Sequence, residues 1–255
     1  MIRVKTQAEI AILREGGKRL FFILREVAKA AQPGVSTADL NALGEKLIAE
    51  QGDKAAFLNY QPSGAKRPYP ASICISVNDE VVHGIPNETP KILKNGDIVS
   101  IDAGLVHDGL ITDSAITVGV GEIDDVAKRL LTTTEKSLAV GIAVVKAGIN
   151  TGDIGYAIET FVKPHGFSIV EELCGHGVGY AVHEDPFVPN FGVRGRGPQL
   201  PVGAVIAIEP MLNEGTKRIV QDDDGYTYRT KDGKRSAHFE HTIVVTEKGA
   251  EILTL

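Results

Sequence analysis

Asp102, Asp113, His176, Glu209 and Glu240 each interrupt a stretch that otherwise reads as apolar strand or glycine-rich turn. An isolated ionised carboxylate is so costly to bury that it ordinarily neutralises or finds a partner. Two divalent cations would balance the four carboxylates, and one imidazole would complete a site of oxygen and nitrogen donors. With no thiolate in the set, Co, Mn, Fe and Zn all suit it as divalent ions. Any one of these acids reads more simply as a strand-end carboxylate facing water or a basic side chain; it is the joint pattern that points to a dinuclear hydrolase. Two metals about 3.5–4 Å apart can share a hydroxide, bring its pKa towards neutrality and polarise the carbonyl it attacks. Peptide or amide hydrolysis is the natural reaction, with a carboxylate beside the water to carry a proton to the leaving amine.

His176 lies in Cys174-Gly175-His176-Gly177-Val178-Gly179, where flanking glycines permit close backbone approach. His83, before Gly84-Ile85-Pro86, and His183, before Glu184-Asp185-Pro186, are set ahead of turn residues. They read either as surface-loop histidines or as donors to a substrate carbonyl and its developing oxyanion. His107, His165, His238 and His241 receive no role, although His241 beside Glu240 is a candidate outer partner of that carboxylate.

The elements that must carry these residues come in two copies. Pro33-Gly34-Val35-Ser36-Thr37-Ala38-Asp39-Leu40 aligns with Ala147-Gly148-Ile149-Asn150-Thr151-Gly152-Asp153-Ile154, each a turn, a polar cap and a helix start. Gly96 to Asp102 aligns with Gly203 to Glu209, an acid standing six positions after a glycine both times, and Asp113 to Val118 aligns with Glu240 to Val245. Helical spacing of apolar residues covers 6–31, 37–51, 124–146 and 152–163. Strands are expected over 72–78, 98–103, 110–119, 205–209, 218–220 and 238–246. The fold class is therefore α+β: one catalytic domain over 1–255, with halves of roughly 1–120 and 121–255 about a pseudo-twofold axis and the acids near that axis. Asp108-Gly109 marks a hairpin turn. A two-residue loop there places 104 opposite 113, so that Asp102 and Asp113 share one face; a three-residue loop would separate them.

The chain has 255 residues, 43% of them hydrophobic, enough for a sizeable core. A net charge of -6 and a pI near 5.7 argue against nucleic-acid recognition or binding to anionic lipid. No secretory leader or membrane span is legible, and two cysteines, Cys74 and Cys174, make no disulfide framework, so the cytoplasm is the expected location.

Taken together, His83-Gly84-Ile85-Pro86, the Asp102 and Asp113 strands, Gly175-His176-Gly177-Val178-Gly179, His183-Glu184-Asp185-Pro186, Ile208-Glu209-Pro210-Met211 and Phe239-Glu240-His241-Thr242 resemble the type I methionine aminopeptidases of the pita-bread fold. The resemblance runs from about residue 5 to Gly249. It implies removal of the initiator methionine from nascent polypeptides. By that similarity Asp102 chelates one metal, His176 and Glu209 the other, and Asp113 and Glu240 bridge both. It also implies that His83 and His183 contact substrate and stabilise the tetrahedral intermediate, with Glu209 as proton shuttle. Tyr60, Tyr69, Cys74 and Tyr226 correspond to the methionine pocket, and Asn78, Glu80 and Ser236 to positions that hold a monovalent cation. The nascent N-terminal methionine is the implied partner, with the ribosome behind it, and the protein is expected as a monomer.

Departures bear on pocket size: Val182 stands where many relatives have Phe, Tyr226 where many have Trp, and residues 61–68 look like a short insertion. No zinc-binding or proline-rich extension precedes residue 5, and no long insert separates His183 from Glu209, as in the minimal bacterial form. Two other readings compete: an X-Pro aminopeptidase or prolidase, whose members usually carry a further N-terminal domain, and a catalytically silent relative that binds protein or RNA, in which metal ligands are typically lost.

Overall fold

The sheet at the centre of the molecule is antiparallel, and its two long strands form the hairpin that the Asp108-Gly109 turn specifies. In the computed structural model, which describes residues 1–255, Ile98–His107 pairs with Leu110–Gly119 from Ile98 opposite Gly119 to His107 opposite Leu110. Asp108 and Gly109 take left-handed φ of 45° and 81°, the backbone of a two-residue hairpin loop. Gly104 opposes Asp113 and Asp102 opposes Ala115, so Asp102 and Asp113 emerge on one face. Alternation does the rest. Val99, Ile101, Ala103 and Leu105 point the other way, into a core with Leu20, Ile23, Leu24 and Val27.

Those last four residues come from helix α1 (Gln7–Ala30), whose buried residues recur at helical spacing. Thr6 and Glu9 close its N-terminus with a reciprocal capping box. Helix α2 (Thr37–Glu50) begins with a second box, Ser36 and Asp39, and packs beside α1. In the second half, α3 (Asp125–Ala143) and α4 (Thr151–Val162) pack together. Leu130, Leu138, Ile154 and Ile158 join Ile206, Ile208 and Ile243 in the larger core. Across the sheet, Leu110–Gly119 pairs with Glu240–Thr246, which pairs in turn with Val205–Ile208, and that strand with Gly175–Gly177.

Hydrogen bonds relate the halves residue by residue. Gly34 N–H donates to Leu93 O at 2.8 Å and Gly148 N–H to Leu200 O at 2.8 Å; Gly96 N–H donates to Val120 O and Gly203 N–H to Val245 O. The equivalence in the central strands runs two residues away from the alignment of Asp113 with Glu240. Thr242 Oγ1 accepts from Asp113 N–H at 2.9 Å and donates to Asp113 O at 2.7 Å. Thr117 Oγ1 does the same for His238, at 2.9 Å and 2.7 Å. The register that places Ala115 opposite Glu240 thus matches Asp113 with His238, and Ala115 with Glu240. Sequence similarity of two β-branched strands cannot detect such a slip, because both registers keep the same side chains on the same face.

The expected strand 72–78 shortens to Cys74–Val77, and two others differ more in extent. Ile98–His107 is longer than 98–103 because the hairpin pairs to its turn. The expected strand 238–246 breaks at Phe239: Ser236–His238 pairs with Met211–Asn213, whereas Glu240–Thr246 pairs with Val205–Ile208. Between these partners lies Glu209-Pro210, where proline has no N–H to continue the ladder. Both segments change sheets at this point, beside two of the acids.

Candidate metal centre

Asp102, Asp113, His176, Glu209 and Glu240 line one cavity of about 80 Å³, together with His83 and His183. Three of the acids owe their placement to the sheet. Cys74, Asp102, Ala115 and Glu240 form a row across four strands, and Asp113 lies two residues from Ala115 on the same face. Ser114 Oγ, which donates to Glu240 O at 2.7 Å, and the Thr242 hydroxyl on Asp113 hold the middle strands in this register. Glu209 sits at the strand break, its carbonyl accepting from Asn190 Nδ2 at 3.1 Å. His176 is buried on the short strand Gly175–Gly177, where a Cβ on either glycine would meet backbone oxygen at 2.3 Å or less. The sheet closes around the imidazole because those side chains are absent.

Burial pushes the Asp102 carboxyl up to about 7. Burial and the charge of Asp102 push Asp113 well above the ordinary carboxylate range, and burial with Asp113 and Glu209 nearby does so for Glu240. Glu209 differs. Burial would raise it, but His238, His176 and His183 outweigh that and hold it below its usual value. His176 Nε2 lies 3.4 Å from Glu209 Oε1, and His238 Nε2 lies 3.5 Å from Oε2.

Buried atoms Asp102 Oδ1, Asp113 Oδ1 and Glu240 Oε1 have no hydrogen-bond partner. Orphaned buried acceptors of this kind cost about 1–3 kcal/mol each, more when charged. His176 Nδ1 engages Gly177 O at 2.9 Å, which fixes the proton there and leaves Nε2 as a lone-pair donor. Donor atoms of Asp113, His176 and Glu240 all lie within 4.8 Å of one another. Unsatisfied carboxylate oxygens converging with an imidazole lone pair are the chemistry of a divalent cation site, and the residues fit it. Asp102 and Glu209 fall outside the compact trio.

His83 occupies a left-handed backbone position, φ 59°, and burial lowers its imidazole to about 4, so it is neutral at pH 7. His183 stands exposed at the mouth, 4.5 Å from the His176 ring in an edge contact, with Nδ1 2.9 Å from the Tyr60 hydroxyl. Surrounding protein and His176 lower it too, an effect that water at the mouth weakens. Tyr60, Tyr69, Cys74 and Tyr226 line the same cavity, with Val182 and Phe57. Tyr69 and Tyr226 meet edge-on at 5.1 Å, and their hydroxyls donate to Gly84 O and Arg67 O. Gly104, opposite Asp113, makes room for this wall: a Cβ there would meet the Phe57 ring at 2.7 Å. Pro62 of segment 61–68 also reaches the cavity.

Asn78, Glu80 and Ser236 lie away from that cavity's lining. Asn78 O accepts from Ser236 N–H at 2.8 Å, and the buried Glu80 carboxylate accepts from Val77 N–H and pairs with Lys91 and Arg229. His241 faces away from the acids, its Nδ1 2.9 Å from the Thr254 hydroxyl. The residue that sequence reading missed is His238, buried against Glu209 and Glu240. Its only available signal was standing two positions before Glu240, on the same face of an extended chain.

A family profile, metallopeptidase family M24, matches residues 11–247. An M24 metallopeptidase is the class that this fold and acid-lined cavity define, and that class implies divalent metal ions. The methionine aminopeptidase of Aquifex aeolicus is 45% identical over 255 residues, covering 99% of this chain and 98% of its own. A crystal structure of methionine aminopeptidase from Thermotoga maritima superposes with a TM-score of 0.95 at 44% identity, covering 100% of this chain and 99% of that one. The chain belongs to the methionine aminopeptidases of family M24. An X-Pro aminopeptidase from Thermotoga maritima shares the fold alone, at 21% identity and a TM-score of 0.76, and this chain spans 62% of its length. No helix is long and apolar enough to cross a membrane.

Proposed function

We propose that this chain is a metal-dependent aminopeptidase that removes the N-terminal methionine from nascent polypeptides, acting in the cytoplasm as a monomeric catalytic domain over 1–255. The observation that carries the proposal is the convergence of four buried donor groups and the partly exposed Glu209 on one small aromatic and thiol-lined cavity. Asp102, Asp113 and Glu240, with His176 and Glu209, would hold two divalent ions of the Co, Mn, Fe or Zn type, since one ion does not reach all five groups. Bound there, such ions supply positive charge and Lewis acidity to activate water and polarise a peptide carbonyl.

The protein's own groups do the remaining work. Tyr69, Tyr226, Cys74 and Val182 exclude water and offer polarisable surface to one unbranched thioether side chain. His83 and His183, both neutral, donate to the substrate carbonyl and steady its negative charge as it develops. Glu209, ionised between two imidazoles, takes the proton that the attacking water gives up, at Oε1 or Oε2, and passes it to the leaving amine. Asn78, Glu80 and Ser236 are proposed to hold a monovalent cation near the sheet edge, and the ribosome is the proposed source of substrate.

The test is hydrolysis of Met-Ala-Ser, Leu-Ala-Ser and an X-Pro peptide by chelator-treated protein reloaded with manganese or cobalt. Turnover confined to the methionine peptide supports the reading. Turnover of the X-Pro peptide alone makes the chain a prolidase-type enzyme, and no turnover with any divalent ion makes it a binding protein.

A further inference from the structure

We propose that His238 is a positioning residue for the metal-binding carboxylates Glu209 and Glu240. The side chain is buried, 1% exposed, yet neither ring nitrogen has a hydrogen-bond partner within the protein. Its Nε2 lies between two acids, 3.5 Å from Glu209 Oε2 and 4.0 Å from Glu240 Oε2. These separations are beyond a good hydrogen bond, so a shift of about half an ångström by Glu209, or about one ångström by Glu240, would complete one. An imidazole stripped of water and left unpaired is costly. Contact with one of these oxygens removes that cost and fixes which oxygen of that acid faces the centre.

The backbone gives His238 a privileged place. Thr117 clamps its N–H and carbonyl as Thr242 clamps those of Asp113, so the second half presents His238 where the first presents a metal-site acid. Ser236–His238 ends one residue before the chain changes sheets, and Met211–Asn213, its partner strand, begins two residues after Glu209. His238 therefore stands behind both acids at the irregular joint, where the ladder holds Glu240 opposite Ala115 but stops short of Glu209. Asp113 is held by sheet and clamp; Glu209 has only Asn190 on its carbonyl and histidines on its carboxylate.

The inference rests on the metallopeptidase reading, and its test separates the two. The full chain is stripped with chelator and titrated calorimetrically with manganese(II), and the absorption spectrum of the cobalt(II) form is recorded. His238→Leu is expected to weaken manganese binding about 10–100-fold, the usual effect of losing a partner behind a ligand, and to alter the cobalt spectrum. His238→Gln, whose amide N–H reaches nearly as far, restores affinity to within about three-fold and restores the spectrum. Should His238→Leu fail to fold, His238→Asn, too short to reach either acid, takes its place against the Gln variant. Wild-type affinity and spectrum in the Leu or Asn variant overturn the role of His238 and leave the metallopeptidase reading standing. An unsubstituted chain that binds neither manganese nor cobalt overturns both.

Discussion

Replacing Thr242 with valine tests how the site is held in the sheet. Its hydroxyl stands in for a backbone group: it accepts from Asp113 N–H at 2.9 Å and donates to Asp113 O at 2.7 Å. Thr242 N–H is meanwhile directed to the Thr254 hydroxyl at 3.2 Å. Thr242 is fully buried and Asp113 nearly so, so no water replaces the lost hydroxyl. Valine keeps the shape and removes both hydrogen bonds. Leaving a buried donor and acceptor unsatisfied costs about 1–3 kcal/mol each, so Thr242→Val is expected to destabilise by roughly 2–5 kcal/mol. For a chain of this size about 1 kcal/mol moves Tm by roughly 2–4 °C, giving a drop on the order of 10 °C in calorimetry. Thr242→Ser keeps the hydroxyl and gives up one methyl, about 1 kcal/mol. Metal affinity should fall with stability in the valine variant, because the strand carrying Asp113 loses the tie to the second half that acts at Asp113 itself. A valine variant within about 0.5 kcal/mol of wild type, or a serine variant as damaged as valine, would show that the hydroxyl clamp does not set the register.

Glu209→Gln and His176→Ala should each lower kcat/KM by orders of magnitude, since each removes charge or a donor from the centre; near-normal activity with metal content intact would contradict the assignment. His183→Ala should reduce turnover about 10²–10³-fold with metal affinity nearly unchanged, because its Nδ1 faces Tyr60 and its ring stands at the mouth; a large loss of bound metal would mean that it is a ligand. Chelator-treated protein should become less stable as pH rises above about 6.5, where His83, His183 and His241, lowered by burial to about 4, are already neutral and no longer add stability with rising pH. Asp102, Asp113 and Glu240 have raised pKa values when folded, so the folded chain keeps protons that the unfolded chain releases, and stability falls across that window. Saturating manganese should remove the slope, and a metal-free Tm that climbs through the same range would refute the burial argument.

What was legible in the sequence followed from periodicity and turn chemistry. The helices of both halves start within a residue of their expected beginnings because Thr6, Ser36, Asp124 and Asn150 stand as caps before apolar stripes. The sharing of one face by Asp102 and Asp113 followed from two turn residues, since hairpin loop length fixes register. The slip between the halves and the break at Phe239 were not legible. Both arise from competition between partner strands distant in sequence, Met211–Asn213 against Val205–Ile208, and no local propensity encodes which one wins. His238 was hidden for the same reason: only the register that sets it against Thr117 turns it towards Glu209.

The same geometry explains why departures in the pocket need not disturb the metal centre. Asp102, Asp113 and Glu240 hang from ladder positions in the middle of a sheet, where moving one side chain means moving a strand. Tyr60, Val182, His183 and Tyr226 come from turns and loop ends, and meet the acids only across the cavity. Substitution at Val182 or Tyr226, or a change of length at 61–68, therefore reshapes the space for the substrate side chain at little cost to the sheet. His183 is the exception. Its imidazole touches both the His176 ring and the Tyr60 hydroxyl, so a change in the wall that moves Tyr60 reaches it directly. Wall variants that alter selectivity should accordingly leave metal binding unchanged, and those that move Tyr60 should lower turnover through His183.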